Sequence, residues 1–366
     1  MYVPRLNVFV LLPLFIVAVL LVVSCSDDNM SVTPTPQWAW APLGSGVDSI
    51  AEVQATIAYK GRLIAGGFFD SAGGEVANNI AAWNGSSWAP LGSGMDHIVS
   101  ALTVYDNKLI AGGWFHTAGG TPANYIAAWD GSTWSALGAG MNNAVFALTV
   151  INDTLVAGGQ FTIAGGTGAN YVAAWNGSTW SPLGRGMSAA VYSLTVWQGY
   201  LTAGGQFYRA DGSPVNCIAG WADSRWLPFG SGMSVSDNLG VYALTEAFDT
   251  LVAGGDFLLA GGNTVNNIAK AGPENWSPLS SGMSGPVLAL TIFNNRLVAA
   301  GNFIVAGGVG VNHVAAWNGA SWEPFGTGTN GAVFDLCIYN NQLIASGRFT
   351  TAGGQKASHI AAWGLR

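Results

Sequence analysis

The sequence predicts an all-β fold of seven repeated units, each made of four short antiparallel strands. Three columns of residues carry this expectation. The segment Leu109-Ile110-Ala111-Gly112-Gly113-Trp114-Phe115 recurs along the chain. Its Gly-Gly pair, or a variant of it, begins at Gly66, Gly112, Gly158, Gly204, Gly254, Ala300 and Ser346, in steps of 46, 46, 46, 50, 46 and 46 residues. A second column holds Trp83, Trp129, Trp175, Trp221, Ala271, Trp317 and Trp363. The third, the Trp of a W-x-P-L-G segment, holds Trp40, Trp88, Trp134, Trp180, Trp226, Trp276 and Trp322. Independent columns in one register define a repeat protein, whose units need their neighbours to bury a core.

Before the repeat, Arg5 precedes an apolar run from Val8 to Val23 broken by Pro13, which reads as a signal segment over residues 1–24. It ends Leu21-Val22-Val23-Ser24-Cys25. This ending resembles the bacterial lipoprotein signal, in which a small residue precedes a lipidated cysteine. The resemblance implies that Cys25 is the acylated (palmitate-bearing) first residue of the mature chain. Residues 25–37 are polar and carry two prolines, as in a flexible tether. Ser26-Asp27-Asp28 resembles the acidic stretch of surface-exported bacterial lipoproteins, which implies an outer-membrane or cell-surface location in the envelope.

Within one unit, residues 98–105 are apolar and β-branched, and Asp106-Asn107 turns the chain into a second strand, 108–115. A loop leads to a third strand, 124–129. Asp130-Gly131 is then a hairpin signal before the fourth, 132–137. We label these strands a, b, c and d. Strands a to c are apolar at nearly every position, so both faces are buried, as in a sheet stacked between two others. A radial stack, the β-propeller, meets this requirement at 40–50 residues per blade. Strand d carries Pro42, Pro90, Pro182, Pro228, Pro278 and Pro324, with Ala136 as the exception. Proline lacks the amide of a central strand, so d is the outer edge and a lines the axis. Residues 38–44 are an isolated strand d, and the last unit stops after its strand c. The expected ring over residues 38–366 is therefore a seven-bladed propeller whose last blade is closed by the N-terminal strand.

The Gly-Gly pairs of strand b (Gly112-Gly113, Gly158-Gly159, Gly204-Gly205, Gly254-Gly255) resemble those of kelch units, although Trp83-Asn-Gly-Ser-Ser-Trp88 is a tighter hairpin than the kelch pattern. The fuller pattern, from Leu-Ile-Ala-Gly-Gly-x-Phe to Ile-Ala-Ala-Trp-Asn-Gly-Ser-x-Trp, is more similar to the repeats of fungal cortical polarity-marker proteins and bacterial secreted proteins. That resemblance implies an interaction module, with a few enzymes such as galactose oxidase among the related propellers.

Charged residues make up 8% of the chain and the net charge is −7, so no basic surface exists to neutralise phosphates, and nucleic acid is excluded as a partner. No nucleophile, zinc-protease or phosphate-loop motif is present. His313 and His359 share a column, but nothing completes a metal set, and no cofactor is expected. The Asn column at the start of strand c (Asn78, Asn124, Asn170, Asn216, Asn266, Asn312) reads as structural, bonding the b–c loop. The Met column (Met95, Met141, Met187, Met233, Met283) reads as packing between blades. Cys217 and Cys337 read as small buried substitutions without a disulfide.

The b–c and d–a loops open on one face, which should hold Asp48, Asp70, Glu75, Asp96, His97, His116, Tyr208, Arg209, Asp211, Asp237 and Lys356. An insertion near Ser234 to Leu239 accounts for the 50-residue step. His116, Arg209, Asp211 and Asp237 depart from their columns and are the candidate ligand-binding residues for a protein or carbohydrate. Glu52, Glu246 and Asp335, in or near strands a, are the candidates for carboxylate chemistry of the glycosidase kind. The expected function is a lipid-anchored binding or scaffold module of the cell envelope. A carbohydrate-active enzyme or a structural surface protein is the alternative.

Overall fold

The computed structural model describes residues 37–48, 51–234, 240–272 and 275–366. All of them belong to one compact unit, Gln37–Arg366. Cys25, the signal segment and Asp237 lie outside the described residues.

Alternating apolar runs and left-handed turns produce the same sheet again and again. In one unit, strand a is Val99–Tyr105, b Lys108–Gly113, c Ile126–Trp129 and d Trp134–Ala136, paired antiparallel in that order. Asp106 and Asn107 adopt φ of 48° and 58°, the twist a two-residue hairpin needs. Seven such four-stranded sheets occur among the described residues. Strand b is shorter than its apolar run suggests. After Gly113 the chain leaves the sheet, and Thr117–Ala118 pairs with Thr121–Pro122 in a small hairpin of its own. That hairpin is bridged through Ala118 to Met95, which lies in the segment linking the preceding d strand to strand a.

The Gly-Gly pair performs two tasks. A Cβ on Gly112 would lie 2.6 Å from Cγ1 of Val145 in the next sheet, so this glycine sets how closely sheets approach. A Cβ on Gly113 would lie 2.1 Å from the backbone oxygen of Ile98 in its own sheet. There strand a bulges: Val99 pairs with Gly113 and Ala101 with Gly112, leaving Ser100 as the extra residue. The first glycine gives way to Ala300 and Ser346 in two units, whereas the second stays glycine at Gly301 and Gly347.

The core lies between sheets. One cluster joins Tyr59, Ile64, Ile80 and Ala82 of one sheet to Val99, Leu109, Phe115 and Ile126's neighbour Ala127 in the next. The Met column is buried in the same junctions. At the periphery, the c-strand and d-strand tryptophans face each other across the hairpin, as in Trp129–Trp134 with ring centroids 5.2 Å apart. The indole of each d-strand tryptophan also donates to a carbonyl in the loop leaving the preceding sheet. Trp134 donates to Leu91 at 2.9 Å, Trp180 to Leu137 at 2.9 Å and Trp322 to Leu279 at 3.1 Å. The d strands are outer edges, and their prolines are exposed.

Innermost strands contact one another in chain order, and the last, Val333–Tyr339, contacts the first, Glu52–Tyr59. Trp38–Pro42 pairs with Ile360–Leu365, setting Trp40 opposite Trp363, and the Trp40 indole donates to Phe325 at 2.9 Å. The first described strand thus completes the last sheet.

Candidate ligand site at the channel mouth

The bulge in strand a decides what faces the axis. Its extra residue is Gln54, Ser100, Phe146, Tyr192, Tyr242, Leu288 and Phe334 in successive sheets. All seven line a cavity of about 460 Å³ at the end of the channel where the b–c loops begin, together with Glu52, Trp114 and Arg348. The same seven side chains continue into a deeper space of about 260 Å³ that reaches Thr56 and Asp335.

Aromatic rings form an arc along one side of this mouth. Trp114 meets Phe146 at 5.6 Å between centroids, Phe146 meets Tyr192 at 5.6 Å, and Tyr192 meets Tyr242 at 5.5 Å. Trp114 remains 36% exposed, and the other three are partly buried. Tyr192 lies 3.0 Å from the Gln206 side chain, its hydroxyl donating to the amide oxygen. Burial, followed by the Asp256 carboxylate and the neighbouring Tyr192 and Cys217, pushes the Tyr242 hydroxyl up to about 12. Across the mouth, Arg348 pairs with Glu52 and stands 5.9 Å over the Phe334 ring. Gln54 donates to Glu52 at 2.7 Å and accepts from Ser100 at 2.8 Å. One wall is therefore aromatic, and the rest of the mouth carries an amide, a hydroxyl and an ion pair, with Phe334 and Leu288 beside them.

The carboxylates singled out in the sequence separate. Glu52 sits at this mouth, committed to Arg348 and Gln54. Asp335 lies on the channel wall, where its carboxylate accepts from the Thr56 amide and hydroxyl, both at 2.6 Å. Burial raises its pKa, although the Thr56 bonds oppose this. Glu246 is the sixth of seven residues in its strand, exposed beside the a–b turn. It stands at the end opposite Glu52, which opens its own strand. The three are not brought together.

The loop candidates are mostly occupied with backbone. Asp211 stands where sister units have Gly73, Gly119 and Gly165, and its carboxylate accepts from the amides of Arg185 and Trp226, both at 2.6 Å. Arg209 is exposed, and its guanidinium donates to the Gly212 carbonyl at 2.9 Å. The His116 ring contacts the Tyr125 hydroxyl at 2.9 Å. Asp96 and Asp48, also expected on this face, clamp the b–c loop. Asp96 accepts from His116 and Thr117 at 2.8 and 2.9 Å, and Asp48 from Asp70 and Ser71 at 2.7 and 3.1 Å. Desolvation alone would raise Asp96, but the Thr117 and His116 amides hold it below the ordinary carboxylate value.

The Asn column bonds the d–a loop rather than the b–c loop. Asn78 donates to Ser93 at 3.0 Å and Asn124 to Ala139 at 3.1 Å. The residue after each column member takes left-handed φ (Asn79 61°, Tyr125 65°, His313 73°), as does His359 (66°) after Ser358. His313 is tied by Nδ1 to the Gly301 carbonyl at 3.2 Å, and burial lowers its pKa. Cys217 is buried, while Cys337 is partly exposed, with its thiol pushed up to about 12 by burial and by Asp335.

The aromatic arc escaped the charged-residue reading because its members look like core. The available signal was variance: the residue after the strand-a valine runs Gln, Ser, Phe, Tyr, Tyr, Leu, Phe, while the positions around it are nearly fixed.

Comparison with known proteins yields the fold. Residues 106–127 match the model of a domain of unknown function, DUF5122, described as a β-propeller. No curated protein matches the chain. Among solved structures, the extracellular domain of BT4673 from B. thetaiotaomicron, named as a one-component system, is 12% identical with a TM-score of 0.61. That match covers 88% of this chain and 39% of BT4673's, so the present chain spans about two fifths of it. The WD40 propeller domain of Doa1 is 13% identical with a TM-score of 0.60, covering 91% of this chain and 97% of its own. The WD40 repeats of RRP9 are 12% identical with a TM-score of 0.58, covering 91% and 100%. The chain folds as a β-propeller.

Proposed function

We propose that this chain is a binding module of the bacterial cell envelope: a seven-bladed propeller over residues 38–366, tethered by residues 25–37 to a lipid on Cys25 after removal of residues 1–24. Its ligand enters the channel mouth on the face of the b–c and d–a loops. His116 and Arg209 stand on the loop face but do not line the mouth, and Asp211 stabilises the loop. The observation that carries this reading is the arc of Trp114, Phe146, Tyr192 and Tyr242. The fold does not require these rings, since sister sheets place Gln54, Ser100 or Leu288 at the same bulge. Partly exposed aromatics beside oriented polar groups in a concave site are the usual makings of a binding pocket. The likeness to an extracellular domain and the lipoprotein-like ending at Cys25 support an envelope location.

The test is a pull-down from solubilised envelope and from soluble glycans, with the full chain in detergent as bait. Trp114→Ala/Tyr192→Ala should lose the captured ligand while circular dichroism and melting stay near the parent, and Arg209→Ala should keep it. A ligand retained by the arc variant and lost by Arg209→Ala would move the site to the loops. Cys25→Ser should abolish membrane fractionation, and mass spectrometry finding an unmodified Cys25 in the mature protein would remove the anchor.

A further inference from the structure

The proposed site has a chemistry of its own, and it narrows the ligand class. Among the described residues, the mouth holds the Glu52–Arg348 pair and the Asp256 carboxylate beside Tyr242. The pair cancels and Asp256 leaves one negative charge, the wrong sign to hold a polyanion and too little to hold a basic peptide. Gln160, Gln206 and Asn302 occupy the repeat column of Trp114 and Arg348, so three of that column's seven members are amides. Leu288 is the one aliphatic member of the lining. Trp, Tyr and Arg also carry protein interfaces, so the ligand class is decided by the amide, hydroxyl and ion pair that accompany the arc.

Resting on the binding-module reading, we infer that the channel mouth recognises a neutral polysaccharide, with sugar rings laid against the Trp114–Tyr242 arc and their hydroxyls bonded by Gln54, Ser100 and the Glu52–Arg348 pair. The argument is one of matching surfaces. A pyranose presents C–H groups on its faces and hydroxyls around its edge. The aromatic wall takes the first, because the face of a π-system is negative and the C–H groups are polarised positive. The polar groups of the mouth take the second, because an amide offers both donors and acceptors, an ionised carboxylate only accepts and a guanidinium only donates. A hydroxyl, which is donor and acceptor at once, satisfies all three. The protonated Tyr242 hydroxyl adds a further donor at the arc's end. The cavity of about 460 Å³ falls in the range of small-ligand sites, and the deeper space of about 260 Å³ below it leaves room for a chain end.

Affinity electrophoresis of the full chain in detergent, through gels containing β-glucan, α-glucan, mannan, xylan or galactan, tests this. Polygalacturonate and alginate serve as the anionic arm, and an envelope-protein pull-down as the protein arm. At least one neutral polysaccharide should retard migration. The Trp114→Ala and Tyr192→Ala variants should each weaken that retardation at least tenfold, and Tyr192→Phe should keep most of it. Binding only to anionic polymers or to a protein, with the same dependence on the arc, would overturn the neutral-glycan class and leave the channel-mouth site standing. Retardation by neutral glycans that ignores every arc variant would overturn the site itself. Failure of all the neutral polysaccharides overturns the inference.

Discussion

At Gly112 and Gly113 two adjacent glycines face different obstacles, and their substitutions should differ accordingly. Gly112→Ala presses on a valine methyl of the next sheet, which two sister units already accommodate with Ala300 and Ser346. Gly113→Ala presses on the backbone of the bulge, which cannot yield without breaking the ladder. Chemical denaturation should therefore show Gly112→Ala within about 1–3 kcal/mol of the parent, the usual cost of overpacking. Gly113→Ala should cost clearly more, or fail to fold. Equal costs would mean that the bulge is softer than its geometry indicates. Asp335 gives a second prediction. Burial raises its folded pKa above the unfolded value of about 3.9, so the native state binds the extra proton. Stability at this site is thus greatest at low pH and declines as pH rises from about 4 through the raised folded value. Asp335→Asn keeps an acceptor for Thr56 and should flatten that decline, read as melting temperature against pH; an unchanged slope would show that the carboxyl is well solvated.

The sheet is the scale at which the sequence was most legible. Turn chemistry at Asp106-Asn107, proline at the strand-d edge and the tryptophan columns each arise from a local rule repeated in six or seven units, and repetition separates them from chance. Hydrogen bonds running from one repeat to the next were not legible, because no column spacing within a unit reports them. The d-strand indole is the main example. Trp134→Phe should remove a 2.9 Å bond to Leu91 and cost on the order of 1 kcal/mol beyond the packing change. Trp276→Phe should cost less in that respect, since its bond to Phe229 is already 3.4 Å long. In that sheet Ala271 replaces the partner tryptophan, and a space of about 530 Å³ opens between Trp197, Phe229 and Trp276. If both variants lose the same amount, the indole contributes through packing alone. The candidate site was illegible for a related reason. Phe146, Tyr192 and Tyr242 sit in an apolar strand, and only the bulge, which composition does not reveal, turns them toward the axis.

For the molecule as a whole, one sheet differs from the other six in being assembled from both ends of the folded unit. Trp38–Pro42 supplies its outer strand, the Trp40 indole bonds Phe325, and Trp40 packs on Trp363 at 5.4 Å. Deleting residues 38–44 removes a buried tryptophan, a loss typically of about 3–5 kcal/mol, and bares the edge of strand c. The variant should melt well below the parent and aggregate; melting within about a degree or two would show that the ring holds without this strand. The same seam has a consequence for how the protein is made. On the ribosome Trp38 emerges hundreds of residues before Leu365, its register partner. Six sheets find every strand they need in freshly synthesised neighbours, but this one must keep its first strand unpaired until the last has been translated. Throughout that interval an aromatic strand stands open to the wrong partner, so a factor that shields nascent chains would have its greatest effect on residues 38–42.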